Sequence, residues 1–229
     1  MVLLVQSPIG GGKTSLTKLL SEDLGTTAYY EKVEDMPMLQ DFYKAGAESR
    51  QAKAFPLQVG FLTYRFGQLG SAIKEENSVL DSSLISDGVM AKNLFNRGEF
   101  DEAEFRLYTQ LSSYMTNLIT AAPTNAKPGL IIYLKIPFSL MLEHIKNRGR
   151  DMEVIDDDKK AYYYDVWKSY EAWATSYAES PMITIDMEHI DFVNNPGDKV
   201  LVLDQIEKEM NALSLLTSDE LRAIKKRRK

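Results

Sequence analysis

Eight residues near the start of the chain, Ser7-Pro8-Ile9-Gly10-Gly11-Gly12-Lys13-Thr14, combine backbone freedom, a cation and a hydroxyl in one short run. Three consecutive glycines let the backbone curl so that several N–H groups converge on one anion. The lysine that follows can reach the β- and γ-phosphates of a nucleoside triphosphate, and the next hydroxyl can ligate Mg²⁺. The flanks suit that chemistry. Residues 1–5 are a short branched apolar run that reads as a buried strand. Residues 15–24 place Leu16, Leu19, Leu20 and Leu24 on one face of a helix, whose positive end faces the glycines. Strand, glycine loop and helix in that order are the context a phosphate loop requires. One position departs from the usual pattern: Ser7 stands where the first glycine is expected. The bland alternative, a glycine-rich turn that binds nothing, leaves Lys13-Thr14 without a purpose.

The remaining elements are those that must position other groups around this loop. Gly25 reads as a helix C-terminal cap, and 26–30 as a second strand ending at Glu31. A polar turn over 32–37 leads to a short helix through Phe42 and Tyr43. Residues 45–51 read as a loop or a helix start. A long helix over about 54–74 carries Phe55, Val59, Leu62, Phe66, Leu69 and Ile73 at spacings of three and four, with Pro56 in its first turn or kinking it. Gln58 and Arg65, seven apart, return to roughly one face of that helix. A third strand over 78–81 ends in Asp81, with Asp87 six residues on, and a helix follows over about 88–95. Asp101 and Glu104 form a capping-box pattern opening a helix to about 121, followed by a loop over 123–128. Residues 129–134 are the clearest buried strand. Pro137 opens a helix that ends in Asn147-Arg148-Gly149-Arg150, and Asp156-Asp157-Asp158 opens another to about 177. A fifth strand covers 182–186, a final helix about 198–213, and the basic run at about 222–229 reads as a frayed, solvated end.

Five short apolar strands separated by helices predict an α/β fold with a five-stranded parallel sheet in one domain over 1–229. Ligands of such sheets sit at the carboxyl ends of the strands. Those ends here supply the phosphate loop, Glu31 and Asp81, with Arg148 and Arg150 one helix beyond the fourth strand. A phosphate cradle, carboxylates and arginines are what phosphoryl transfer uses, because its catalysis is mostly positioning and charge stabilisation.

The composition narrows the alternatives. With a net charge of −6, bulk electrostatic binding of nucleic acid is not expected. There is no cysteine, so disulfides, thiolate catalysis and cysteine-based zinc sites are excluded, and two histidines are too few for a histidine-rich metal centre. No stretch reads as a membrane span or signal peptide, and a cytoplasmic protein without a membrane partner is expected.

Across nearly its whole length the sequence resembles the bacterial deoxynucleoside kinases, particularly the deoxyadenosine/deoxyguanosine kinases. The segments that carry the likeness are Ser7 onward through the glycines, Tyr29-Tyr-Glu-Lys-Val-Glu-Asp-Met-Pro, Leu57-Gln58 through Arg65-Phe, Val79 to Asp87, Arg148-Gly-Arg150-Asp-Met-Glu153 and Thr184-Ile-Asp186. The resemblance implies a P-loop kinase fold with a helical lid at about 147–158, and ATP with Mg²⁺ as cofactors. It implies phosphorylation of the 5′-hydroxyl of a deoxynucleoside, with a purine the expected base. By the same resemblance Ile9, Gly10, Gly11, Gly12, Lys13, Thr14 and Ser15 would hold the ATP phosphates, and Asp186 would line the adenine. Glu31 would take the proton from the 5′-hydroxyl, with Arg65 beside it. Gln58 would bond the base edge, and Asp87 would contact the base end. Tyr43 and Glu153 would hold the 3′-hydroxyl. Asp81 would support the Mg²⁺ shell with Thr14, and Arg148 and Arg150 would close over the phosphates. Relatives are usually dimers, so a homodimer, or a heterodimer with a paralogue, is expected through the helix containing 105–119.

The departures concentrate at the reacting end. The family's acid-Arg-Ser triplet reads Asp81-Ser82-Ser83, a lid arginine is His144, and an aromatic near Gln58 is Gly60, which would enlarge the substrate pocket. Loss of an arginine that meets developing phosphoryl charge can cost on the order of 10³-fold. Two other readings therefore stand beside the kinase: a nucleotide-binding regulatory subunit that has lost efficient transfer, and a kinase for a modified nucleoside or a nucleoside monophosphate.

Overall fold

The computed structural model describes residues 1–31, 36–45, 47–120, 129–150, 153 and 155–228. Residues 32–35 of the expected turn at 32–37, the loop at 123–128 and part of the lid at 147–158 lie outside these residues; Pro37 of that turn opens α2. In chain order the elements are β1 (Val2–Gln6), α1 (Lys13–Leu24), β2 (Thr27–Tyr29), α2 (Pro37–Lys44), α3 (Ala47–Ala72), β3 (Ser78–Leu80), α4 (Leu84–Asn96), α5 (Glu102–Thr120), β4 (Leu130–Lys135), α6 (Phe138–Arg148), α7 (Asp157–Ser176), β5 (Met182–Asp186), α8 (Pro196–Ala212) and α9 (Ser218–Arg228).

The five strands form one parallel sheet in the order β2-β3-β1-β4-β5. All of β1 and β4 except Lys135 is buried, as befits central parallel strands covered by helices on both faces. The two sides are distinct. Leu3, Val5, Leu130, Ile132 and Leu134 join the larger core with α1, α4 and α8, while Val2, Leu4, Leu80 and Ile131 pack on the other face beneath Ala72. The order reverses between β3, β1 and β4, so the loop after β1 opens at the point where the crossovers diverge, the usual ligand crevice of such sheets.

Local signals fix several ends. Gly25 adopts the left-handed conformation (φ 67°) and its N–H closes on the Ser21 carbonyl. Asp101 and Glu104 exchange backbone-to-carboxylate bonds at 2.8 and 3.0 Å, completing the box ahead of α5. Asp156 accepts from the Lys159 N–H and caps α7.

Four expectations are corrected. First, α3 begins at Ala47 rather than near 54, so Pro56 lies well inside it. Pro56 and Ala52 are both exposed, so solvent can serve the carbonyl that loses its donor. Second, α4 begins at Leu84 rather than near 88, because Ser83 caps it reciprocally with Ser86, which places Asp87 in its first turn. Third, Gly60 faces outward beneath Met38, whose Cε would lie 3.0 Å from an added Cβ, and so does not enlarge the main cleft. Fourth, the basic end is not frayed. It forms α9, and Arg228 is clamped by Asp23 of α1 and by Asp204 and Glu207 of α8. Three carboxylates around one guanidinium supply what composition alone could not reveal.

Candidate active site

The phosphate loop curls because two of its glycines take positive φ, 75° at Gly10 and 90° at Gly12. A Cβ on Gly10 would meet Ile145 at 2.9 Å and the Met141 carbonyl at 3.0 Å, so α6 presses directly on the loop. Ser7, which replaces the usual first glycine, is fully buried and donates its hydroxyl to the Leu134 carbonyl at 2.9 Å, tying the loop to the end of β4. Lys13 Nζ folds back to the carbonyls of Ser7 and Pro8 at 2.8 and 3.1 Å. Burial lowers the Lys13 pKa to about 8, against the pull of Glu31 and Asp81.

A chain of acids and one guanidinium runs from this loop across the crevice. Thr14 Oγ1 donates to Asp81 Oδ2 at 2.9 Å, and Asp81 Oδ1 accepts the backbone N–H of Glu31 at 2.8 Å. Burial raises the Asp81 pKa, with the Thr14 hydrogen bond opposing. The Glu31 carboxylate meets Arg65 Nη2 at 2.8 Å, and Arg65 Nε meets Asp87 Oδ1 at 2.5 Å. Burial works against the Arg65 charge, yet Asp87 and Glu31 outweigh it and raise its pKa. Burial also raises the Asp87 pKa, with Arg65 opposing. Fully buried Gln6 at the end of β1 bonds both Ser83 and Ser86, and so fixes the turn of α4 that carries Asp87.

Beyond Arg65 the crevice becomes a chamber in which Gln58 Oε1, Arg65 Nη1 and Asp87 Oδ2 are buried without a partner. Buried polar groups are costly unless satisfied, so these three atoms call for a polar ligand. Tyr43 stands at the chamber wall, edge-on to Phe42 and Tyr162, and burial raises its phenol pKa. At the rim near Tyr43, Arg148 makes a two-pronged contact with Glu153 at 2.6 and 2.5 Å, and Arg150 lies 3.7 Å from the same carboxylate. His144, one turn before Arg148 on α6, places Nδ1 2.9 Å from the Gly10 carbonyl oxygen. Loop, carboxylates, chamber and rim face one cleft of about 1050 Å³.

The family model for deoxynucleoside kinases matches residues 3–211. This chain belongs to the deoxynucleoside kinase family. It is 36% identical over 219 residues to a deoxyadenosine kinase of Lactobacillus acidophilus, covering 94% of this chain and 99% of that protein. It is 34% identical over 220 residues to a deoxyguanosine kinase of Lactobacillus johnsonii, covering 95% and 96%. The fold matches that of a deoxyadenosine kinase from M. mycoides solved with products dCMP and a flexible dCDP, with a TM-score of 0.76 at 22% identity over 91% of this chain and all of that one. A structure of the M. mycoides enzyme with bound dATP matches with a TM-score of 0.72, again at 22% identity, over 90% of this chain and all of that one.

Within this kinase fold, every site residue expected from the sequence lines the cleft except Asp81 and Asp186. Asp81 acts just behind the wall through Thr14 and Glu31. Asp186 stands outside that lining: its carboxylate is engaged by Lys135 at 3.6 Å and by the Glu188 N–H at 3.1 Å, and the cleft is lined by the segment after it. There Phe192 packs against Gly12 and Asp191 accepts from the side chain and backbone of Asn194. That segment lies past the carboxyl end of β5, the side of such sheets where ligands generally sit. Sequence reading also left out Phe61, whose ring lies 5.0 Å beneath the Arg65 guanidinium. Its position four residues before Arg65 is the only sequence signal for that contact.

Proposed function

We propose that this protein transfers the γ-phosphoryl group of ATP to the 5′-hydroxyl of a purine deoxynucleoside, giving the monophosphate and ADP. The observation that carries the proposal is the hydrogen-bonded run from Thr14 through Asp81 to Glu31, which sets a carboxylate beside a phosphate loop at the mouth of a polar chamber. Relatives named as deoxyadenosine and deoxyguanosine kinases at 36% and 34% identity support the purine.

In this reading the base enters the chamber and satisfies Gln58 Oε1 and Asp87 Oδ2, while Tyr43 and Glu153 take the sugar 3′-hydroxyl. Ile9 to Ser15 hold the ATP phosphates, Lys13 leaving its two carbonyl contacts for phosphate oxygens. Glu31 accepts the 5′-hydroxyl proton as that oxygen forms its bond to the γ-phosphorus. The bond from the γ-phosphorus to the β,γ-bridging oxygen breaks, and ADP departs with the electron pair. Arg148 and Arg150, on a lid at about 147–158, bring positive charge to the transferred group, and the whole of 1–229 works as one unit. Thr14 and Asp81 present the hard oxygens that suit Mg²⁺, which binds by one or two carboxylates plus substrate phosphates. When bound, Mg²⁺ neutralises phosphate charge. A site of action in the cytoplasm, where both substrates are available, belongs to the same proposal. A homodimer does too, with α5 presenting Leu107, Tyr114 and Leu118 to a second copy from one exposed face.

Steady-state transfer from ATP–Mg²⁺ to a panel of deoxynucleosides and monophosphates tests this, with Lys13→Ala as the blank. Turnover on a purine deoxynucleoside is expected, absent in the blank and reduced on the order of 10²–10⁴-fold in Glu31→Gln. Normal turnover by Glu31→Gln would sink the assignment of the base. Ser82 lining the cleft supports the second reading, a binding subunit without efficient transfer. Ligand binding with no turnover on any acceptor would decide for it.

A further inference from the structure

Of the three glycines in the phosphate loop, the middle one is not required by its own backbone. Gly10 and Gly12 take positive φ, whereas Gly11 does not, so its conformation is open to ordinary L residues. What stands in the way of a side chain there is Ser7. A Cβ on Gly11 would overlap Ser7 Oγ and lie 2.6 Å from Ser7 Cβ, with the Pro8 carbonyl oxygen at 3.1 Å. Turning the hydroxyl aside would not clear the space, because Ser7 Cβ is fixed to the chain. Nor has the serine room to withdraw. It is fully buried directly after β1, and its hydroxyl donates to the Leu134 carbonyl at 2.9 Å. The Ser7 and Pro8 carbonyls receive Lys13 Nζ at 2.8 and 3.1 Å, and the Pro8 carbonyl also accepts the Gly11 N–H at 3.1 Å. Gly11 and Lys13 line the cleft, and Ser7 stands behind them.

Resting on the ATP site of the kinase reading above, we infer that Ser7 is a positioning residue for the donor phosphates: its side chain fills the hollow of the loop in place of a side chain at 11, and holds the loop in shape before ATP arrives. Residues 7 and 11 are one packing unit, in which only one of the two positions can carry a Cβ. The serine hydroxyl adds what a bare methyl at 11 could not, a bond to the end of β4. The same residue fixes the carbonyl on which Lys13 rests, so the loop and its cation are set together. A loop already shaped loses less freedom when phosphates bind, and the difference appears as affinity for ATP. The contacts of Ser7 run to β4 and to the loop itself, so the nucleoside end of the cleft is left as it was.

The test is a set of variants: Ser7→Gly, Ser7→Ala, Gly11→Ala, Ser7→Gly with Gly11→Ala, and Ser7→Ala with Gly11→Ala. Each is melted thermally, titrated calorimetrically with ATP and Mg²⁺ in the absence of an acceptor, and assayed for the KM of each substrate. Gly11→Ala is expected to weaken ATP binding roughly 5- to 150-fold, the range that overpacking commonly costs. Ser7→Gly is expected to weaken it about 2- to 13-fold through the lost hydrogen bond. Adding Gly11→Ala to Ser7→Gly is expected to cost no more than about threefold further, because the two changes are coupled through one space. The same addition to Ser7→Ala is expected to keep the full penalty, since alanine retains the Cβ at 2.6 Å. The nucleoside KM is expected to stay within about twofold throughout. If Gly11→Ala does not fold, recovery of folding and ATP binding on adding Ser7→Gly supports the pairing. Gly11→Ala that binds ATP as tightly as the unaltered protein overturns it. So does a Ser7→Gly, Gly11→Ala variant that keeps the full alanine penalty or fails to fold. A nucleoside KM that shifts as far as the ATP KM overturns the donor-side role. ATP binding by the unaltered protein without turnover overturns the kinase reading alone, and the calorimetry still decides the pairing. Absence of ATP binding by the unaltered protein overturns both.

Discussion

The hydroxyl of Thr14 and the carboxylate of Asp81 meet at 2.9 Å, joining the first turn of the phosphate-loop helix to the end of β3. Because the other Asp81 oxygen holds the Glu31 N–H, a single carboxylate sets both the Thr14 ligand position and the backbone of the proposed base. Asp81→Asn keeps the size but replaces one acceptor with a donor. We expect it to lower kcat by about 10–100-fold and to raise the Mg²⁺ concentration needed for half-maximal rate. A Mg²⁺ titration of the rate checks this, and an unchanged half-saturation point counts against the assignment.

Lys13 gives a pH dependence with a definite sign. Burial brings its pKa down to about 8, so the free enzyme loses the ammonium as pH rises past that value. The profile of kcat/KM for ATP reports the free enzyme and is expected to fall above pH about 8. Bound phosphates favour the ammonium, so kcat is expected to persist to higher pH. Rates from pH 6.5 to 9.5 check both limbs. A kcat/KM that stays level to pH 9.5 would refute the assignment.

His144 touches the loop through the Gly10 carbonyl, an oxygen that only accepts, so Nδ1 carries the hydrogen in this contact. Losing one such bond is worth about 0.5–1.5 kcal/mol. His144→Ala is accordingly expected to raise the KM for ATP roughly 2- to 13-fold. The nucleoside KM is expected to stay near its original value, since the contact lies on the phosphate side. Initial-rate measurements with each substrate varied separately distinguish the two.

At the other end of α1, Arg228 meets Asp23, Asp204 and the fully buried Glu207. Removing the guanidinium strands an uncompensated buried carboxylate, which typically costs about 3–5 kcal/mol. Arg228→Ala is expected to lower Tm by about 6–20 °C in a protein of this size. Adding Glu207→Gln is expected to restore part of the loss. Calorimetric melting of the two variants tests whether the C-terminal helix is held by this charge cluster rather than by its apolar contact at Ile224.

What the sequence determined by itself is what near neighbours encode. The glycine loop with Lys13-Thr14, the strand at 182–186, the Asp101–Glu104 box and the Asp156 cap all follow from short-range backbone chemistry and hydrophobic period. The seven-residue spacing of Gln58 and Arg65 likewise placed them on one face of α3, and both reach the cleft. The start of α3 is not marked by hydrophobic period, because residues 47–53 carry no apolar stripe, although most of them are good helix formers. Tertiary structure alone decided the long-range pairings. Ser7 reaches Leu134 across 127 residues, Arg65 finds Asp87 and Glu31 across 22 and 34, and Arg228 finds Asp23 across 205. A side chain's partner depends on which elements the sheet brings together and on how deeply burial removes competing water. Neither is written in the local spacing that makes a helix or a strand.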